Sequence, residues 1–298
     1  MKAKFQFTLS MIIFGTIGVF VKYIDLSSSE IALLRGLIGC LFLMTVIIIM
    51  KKKIPWALVK VNAVLLFVSS IALGANWIFF FEAIKHTTLS NAVLSYYFAP
   101  VFVTILSPIV LKEKLSAEKI ICIGIAMLGM LFIVGNGKIS TSGAGDLIGI
   151  GYGLVAAALY ASLMLTNKFI KNMDGRDTTL IQLGIASTFL MPYVFLTEGF
   201  GLFDISSSSI PLILIIGIVH TGFAYLLFFS SIQKLKGQSI AALSYADPLT
   251  SLVISVLILF EPMTAIQFVG GVLLLGSTFV SENQSIKFAR RKINYMQE

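Results

Sequence analysis

The chain alternates long apolar runs with short polar punctuation. Ten runs stand out, at roughly 5–24, 30–50, 62–84, 88–111, 118–136, 145–167, 178–197, 210–232, 237–260 and 264–281. Each is near the ~20 residues a helix needs to cross ~30 Å of hydrocarbon. The pattern predicts an all-α integral membrane protein with ten transmembrane helices. Several linkers are only a few residues long, so neighbouring helices are expected to be antiparallel hairpins. The first run, within MKAKFQFTLSMIIFGTIGVF, has the basic start and apolar body of a signal peptide. No clear A-x-A site follows it and nine more runs do, so it is expected to remain as the first span.

A second pattern lies on top of the first. SNAVLSYYFAPVFVTILSPIVLKEKLS, from Ser90 to Ser116, returns as SIAALSYADPLTSLVISVLILFEPMT, from Ser239 to Thr264. Ser95-Tyr96 answers Ser244-Tyr245, Pro100 answers Pro248, Ser107 answers Ser255, and Leu111 answers Leu259. Glu113 and Glu261 each follow their proline by 13 residues. Such self-similarity must be recognised before any fold is assigned. Five runs lie on each side of the Gly- and Ser-rich connection Gly135 to Asp146. An odd number per half starts the second half on the opposite face of the membrane. The expectation is two inverted five-helix units, 5–136 and 145–281, with a basic tail at 282–298. Inverted repeats are the plan of many secondary transporters, with the site near mid-bilayer between them.

Composition agrees. Of 298 residues 57% are hydrophobic and 12% charged, against roughly 25% charged in a soluble domain. The net charge of +8 could suggest nucleic acid, but the basic residues fall in short clusters between apolar runs instead of forming one stripe. With a cytoplasmic N-terminus, eighteen of the 22 Lys and Arg fall in inner segments, three in outer ones, and Arg35 within the second run. This positive-inside bias supports ten spans with both termini cytoplasmic in a cell membrane. The tail carries Lys287, Arg290, Arg291 and Lys292, suited to an acidic inner leaflet or simply to a solvated tail. Cys40 and Cys122 both sit inside apolar runs and read as small buried hydrophobes; no metal or cofactor pattern is present.

With ten spans in two halves and a Pro-to-Glu signature in each, the chain resembles the drug/metabolite transporter superfamily in its EamA-type branch. The resemblance covers about 5–136 and 145–281. Lys22 and Lys168 look like a further matched pair, as do Gly74 and Gly222. The resemblance implies a carrier of small organic solutes, often an exporter of amino acids or other metabolites. It also implies a cavity lined mainly by spans 1, 3, 4, 6, 8 and 9, with 5 and 10 peripheral. Arg35 looks like a family position, yet Leu183 stands opposite it in the second half, so an asymmetric site is expected.

Asp247 is the sharpest candidate. It precedes Pro248 near the middle of the ninth run, where an ionised carboxylate costs about 2.5–3.5 kcal/mol on insertion scales. A proline there loosens the helix and frees carbonyls. Asp247 could bind solute or relay protons, or be a protonated bundle stabiliser; its counterpart Ala99 cannot do either. His220, mid-way along the eighth run, could share a proton with Asp247 if the two face each other, or be a satisfied core histidine. Tyr96, Tyr97 and Tyr245 precede the helix-breaking prolines Pro100 and Pro248, and could line a solute pocket or pack. Trp77 and Tyr225 are paired by the repeat, with Asn76 beside Trp77. Asn76 and Asn167 serve equally as interhelical glue or site. Arg35 could reach the outer interface, pair with Glu30 or bind a substrate carboxylate. Lys22 and Lys168 suit snorkelling anchors, and Glu113 and Glu261 suit caps of the following helices, Thr264 and Gln267 forming a capping-box pattern. Glycines such as Gly124, Gly129, Gly149, Gly153, Gly271 and Gly276 permit close packing within the chain or a homodimer face.

The expected function is secondary active or facilitative transport of a small polar metabolite by alternating access, with Asp247 and His220 available to couple protons. The expected partners are a small-molecule substrate and the lipid bilayer. No nucleotide-binding loop, H-E-x-x-H or G-x-S-x-G occurs, which argues against ATP hydrolysis and membrane-enzyme chemistry. A non-transporting scaffold is the alternative class. It would tolerate changes at Asp247, Tyr245 and Asn76.

Overall fold

The computed structural model describes residues 2–112, 116–135, 143–199, 205–232, 234–235 and 243–295, and every regular element among them is helical. Glu113, Asp204, most of the Gly135–Asp146 connection and the start of the ninth run lie outside the described residues. The chain opens with α1 (Lys2–Gly15) and α2 (Ile17–Lys22), one rod interrupted at Thr16. There follow α3 (Ser28–Ile49), a short α4 (Trp56–Val61) and α5 (Ala63–His86). A second interrupted rod is α6 (Leu89–Tyr96) with α7 (Ala99–Val110). Next come α8 (Ala117–Gly135), α9 (Gly143–Asn167) and α10 (Gly175–Thr197). Then α11 (Ser209–Leu214) passes through a π-helical segment (Ile215–Phe223) into α12 (Ala224–Ile232). The last helices are α13 (Ala246–Leu257) and α14 (Ala265–Tyr295).

Among the described residues, seven stretches are long and apolar enough to cross a membrane: Lys2–Lys22, Ser28–Ile49, Ala63–His86, Leu89–Val110, Asp146–Asn167, Gly175–Thr197 and Ser209–Ser231. Ala246–Leu257 and Ala265–Ser281 are apolar and shorter. Large apolar side chains such as Leu131, Phe268, Val272 and Leu196 stand exposed on α8, α14 and α10. In water they would form a sticky surface; acyl chains solvate them without cost.

Local signals start the helices where the sequence places them. Ser27 and Glu30 form a reciprocal capping box at α3, with Ser27 N–H to Glu30 Oε2 at 2.8 Å and Glu30 N–H to Ser27 Oγ at 3.2 Å. Glu30 is therefore committed to its own helix end and is not a partner for Arg35. Thr264 and Gln267 form the expected box at α14. The repeated motif also leaves the same backbone signature twice. Lys112 and Phe260, equivalent in the repeat, both turn in the left-handed region, at φ 56° and 52°, each one residue before its Glu.

Elements from the two sequence halves pack into each other. α5 lies along α9, α8 along α14, and α3 against both α10 and the π segment. α1 packs on α12 and α13, and α6 on α9 and α13. Polar side chains tie them. Gln182 Nε2 donates to Ser69 Oγ and to Asn167 Oδ1, both at 2.7 Å, so Asn167 acts as interhelical glue. Asn62 and the Lys171 backbone exchange two bonds of 3.1 Å.

Glycine spacing is absorbed by this packing at defined points. A Cβ on Gly129 would lie 2.6 Å from the Gly270 carbonyl oxygen, and one on Gly270 would lie 2.6 Å from that of Gly129. Gly149 abuts Thr87, and Gly153 abuts Ser95. Gly124 and Gly276 instead have no neighbour within 4 Å. Gly129→Leu is therefore expected to force α8 and α14 apart and to cost about 1–3 kcal/mol or more of stability. Gly124→Ala should be neutral or stabilising by up to about 1 kcal/mol, since Ala is the better helix former. Thermal unfolding of the purified variants in one detergent checks both.

Candidate functional site

The two interrupted helices carrying the repeated motif meet near the centre of the bundle. Each break falls just before its proline. Tyr97 and Phe98 separate α6 from α7, and Tyr245 separates the helical residues 243–244 from α13. Pro100 and Pro248 consequently occupy first turns, where a missing N–H costs nothing. Their rings remove the i+4 donors that would have served Tyr96 and Ser244 in a continuous helix. Asp247 lies in the first turn of α13, at the positive end of that helix.

Across the break, Tyr97 donates its hydroxyl hydrogen to Asp247 Oδ2 at 2.7 Å. This bond joins the first copy of the motif to the second. Tyr96 extends the site. Its ring lies 4.5 Å from Phe80, 5.4 Å from Tyr160 and 6.1 Å from Tyr97, centroid to centroid. Asp247 and Tyr225 lie near it. Tyr96, Tyr97, Tyr160, Tyr225 and Asp247 are all only partly buried, although they stand on the inner faces of their helices. The result is an aromatic cluster with hydroxyls and one carboxylate, a mixture suited to a small amphipathic solute.

Other residues singled out from the sequence are placed differently. Asn76 is buried and donates to the Ala156 carbonyl at 2.7 Å, a bond between α5 and α9. Tyr245 turns towards α14, with its hydroxyl on Thr278 Oγ1 at 2.9 Å and its ring 5.3 Å from Phe279. Tyr225 stacks at 5.3 Å on Phe14 and at 6.0 Å on Phe229. His220 shares no hydrogen bond with Asp247. Its Nε2 is 2.8 Å from Thr16 Oγ1, its Nδ1 is 3.3 Å from the Ile215 carbonyl, and Phe20 covers its ring at 4.9 Å. The Ile215 carbonyl only accepts, so Nδ1 carries a proton, and the one hydroxyl hydrogen of Thr16 has two acceptors in reach, the Ile13 carbonyl at 2.8 Å and His220 Nε2. Thr16 thus stands between His220 and the α1–α13 contact, where a Cβ on Gly15 would lie 2.5 Å from the Asp247 carbonyl oxygen.

Trp77 is buried beneath Arg35, whose guanidinium carbon lies 4.4 Å from the indole centroid and 5.8 Å from that of Phe81. Arg35 Nε donates to Thr221 Oγ1 at 2.8 Å. An arginine within a span costs about 2.5–3.5 kcal/mol on insertion scales, and a desolvated cation–π contact returns about 2 kcal/mol of that. Arg35 therefore points into the bundle, to neither the outer interface nor Glu30.

At one end of the bundle Lys22 forms an ion pair with Glu261 Oε1. Glu261 Oε2 accepts the Leu89 N–H at 2.7 Å and the Ser255 hydroxyl at 2.5 Å. Ser90 in turn donates to Ser255 Oγ at 2.7 Å. Glu261 caps the start of α6, not that of α14, and Lys22 is its counter-ion, not a lipid-facing anchor. One clasp so joins α2, α6 and the end of α13.

Thr16, Tyr160 and Thr221 were not singled out by the sequence. A signal existed for one of them. Tyr160 precedes Lys168 by the same eight residues that separate Phe14 from Lys22, so the matched lysines point to both rings.

Comparison with known proteins follows the same outline. The model of the EamA-like transporter family matches residues 1–135 and 147–282. The uncharacterized transporter YxxF of Bacillus subtilis strain 168 is 32% identical over 258 residues, covering 85% of this chain and 80% of that protein. An uncharacterized transporter of Archaeoglobus fulgidus is 30% identical over 287 residues, covering 93% and 97%. One solved crystal structure shares the fold at a TM-score of 0.62 and 15% identity, over 94% of this chain and 97% of its own.

The clasp yields a stability test. Lys22→Met and Glu261→Gln should each cost about 1–2 kcal/mol, a buried-pair penalty reduced by the partial exposure of Lys22. The double variant should cost less than the sum, by at least about 0.5 kcal/mol. Additive costs in a denaturant-unfolding cycle would show that the two groups do not interact.

Proposed function

The chain belongs to the EamA-like transporter family, and we propose that it carries a small polar metabolite across a cell membrane by alternating access. As a transporter of this family it is a multi-pass membrane protein and not an enzyme. In our proposal the ten apolar runs form two inverted five-helix units with cytoplasmic termini, and the solute is an amino acid or related metabolite moved outward. The observation that carries the reading is the Tyr97–Asp247 bond between two helices interrupted at equivalent places.

The bond supports a switch for a simple reason. Asp247 as a carboxylate accepts from Tyr97 and holds the motif copies together. Protonated, it loses the charge-assisted part of that bond, roughly half its strength. A solute ammonium or a proton arriving at Asp247 therefore competes with Tyr97 and loosens the contact between the halves. The Lys22–Glu261–Leu89 clasp supports a closed state at one end of the bundle, since it holds α6 to the end of α13. Opening that end requires breaking it.

Asp247→Asn should abolish the pH dependence of uptake into proteoliposomes and slow net transport by about tenfold or more, the equivalent of ~1.4 kcal/mol. Tyr97→Phe, which leaves the carboxylate but removes its donor, should shift the pH profile and keep more of the rate. Full flux with an unchanged pH profile in Asp247→Asn would refute proton coupling at this site.

A further inference from the structure

The Arg35 guanidinium has more donors than the protein uses. Arginine presents five N–H donors in a planar fork. Arg35 is more than nine-tenths buried, yet only its Nε is bonded, to Thr221. Its two terminal nitrogens donate to no carboxylate among the described residues, and they are not sealed off. Among the described residues the wholly enclosed side-chain atoms without a partner are Ser28 Oγ and Ser187 Oγ alone. The carboxylates that could have answered it are spent elsewhere: Glu30 on its capping box, Asp247 on Tyr97, Glu261 on Lys22.

The surroundings hold this fork in place. Trp77 supports one face. Ser187 crowds a Cβ on Gly36 at 2.5 Å, and Gly217 and Gly222 bring the π segment against Ile38 and Phe42. Rings connect Arg35 to the aromatic cluster: Phe81, 5.8 Å from the guanidinium carbon, lies 6.2 Å from Phe80, which lies 4.5 Å from Tyr96. A preorganised cation with open donors beside that cluster is complementary to a planar oxyanion.

We infer that Arg35 is a carboxylate subsite: its two terminal nitrogens bind the carboxylate of the transported solute in a bidentate pair, while Thr221 and Trp77 fix the plane of the fork. This inference rests on the carrier reading above and assigns it a substrate class, solutes bearing a carboxylate. An amine or a neutral amide of the same shape would leave the guanidinium uncompensated and bind more weakly.

The test uses the full-length purified protein and matched probes, namely acetate, benzoate, 3-phenylpropionate and L-phenylalanine against the corresponding primary amides. Thermal unfolding reads binding to the native state. At least one carboxylate should raise the melting temperature where its amide does not. Arg35→Gln should weaken that carboxylate by about tenfold or more and leave the amide unchanged. Arg35→Lys, which keeps the charge and the indole contact but loses the fork, should weaken it several-fold, and it decides the matter if Arg35→Gln does not fold. A panel in which no carboxylate outperforms its amide overturns the inference, as does discrimination that survives in the Arg35 variants. Flux of a carboxylate-free solute that is sensitive to Asp247→Asn, with no carboxylate carried, would keep the carrier and remove the subsite.

Discussion

A backbone that leaves the α-helical path inside an apolar bundle must find new partners for the N–H and C=O groups it frees, because no water is there to take them. The centre of this protein is organised by that constraint. α1 breaks at Thr16, and the Gly15 carbonyl next to the break accepts the Ser251 hydroxyl of α13 at 2.8 Å. The π segment widens the helix, and its Ile215 and Ile216 carbonyls are met by His220 Nδ1 and Thr221 Oγ1. The same two side chains then reach outward, His220 to Thr16 and Thr221 to Arg35. Each of these irregularities is met by a side chain that comes from another helix, as Ser251 does, or that also bonds one, as His220 and Thr221 do. The breaks therefore gather in one region, and the polar groups needed to repair them make that region chemically able.

This arrangement separates two kinds of polar residue that look alike in the sequence. Asn62, Asn167 and Gln182 tie helices together. Arg35 instead has open donors among the described residues, and Asp247 with its tyrosine partner Tyr97 stands only partly buried. Around Tyr96 the cluster carries an acid, Asp247 on Tyr97, and, past Phe80 and Phe81, a base, Arg35. A solute entering the cluster would exchange its water for groups already oriented, which is how a membrane carrier can strip a polar molecule without paying the whole desolvation cost.

Much of this was legible from the residues. Helices and their rough ends follow from apolar run length, and the cap of α14 from Thr264 and Gln267. The repeat located both interruptions, since Pro100 and Pro248 mark them and Asp247 stands beside one. His220 was visible as a polar residue in an apolar run, but its partner was not. Asp247 was the attractive guess; Thr16, an unremarkable threonine, holds that place. Glu261 was read as a cap for the helix next in sequence. It caps α6 instead, because the start of α6 lies beside it in space and α14 already had Thr264.

The sequence by itself determined that this chain is a bundle of apolar helices with a repeated, proline-marked motif, and where its rare ionisable residues fall. Those properties are local: they depend on run length, spacing and backbone chemistry within a few residues. Only the tertiary structure decided which of those residues meet. Tyr97 reaches Asp247 across 150 residues, Lys22 reaches Glu261 across 239, and Arg35 reaches Thr221 across 186. Side-chain partnership at such separations depends on how helices cross and rotate. That is set by the close approach of glycines and the packing of whole faces, which no local pattern encodes.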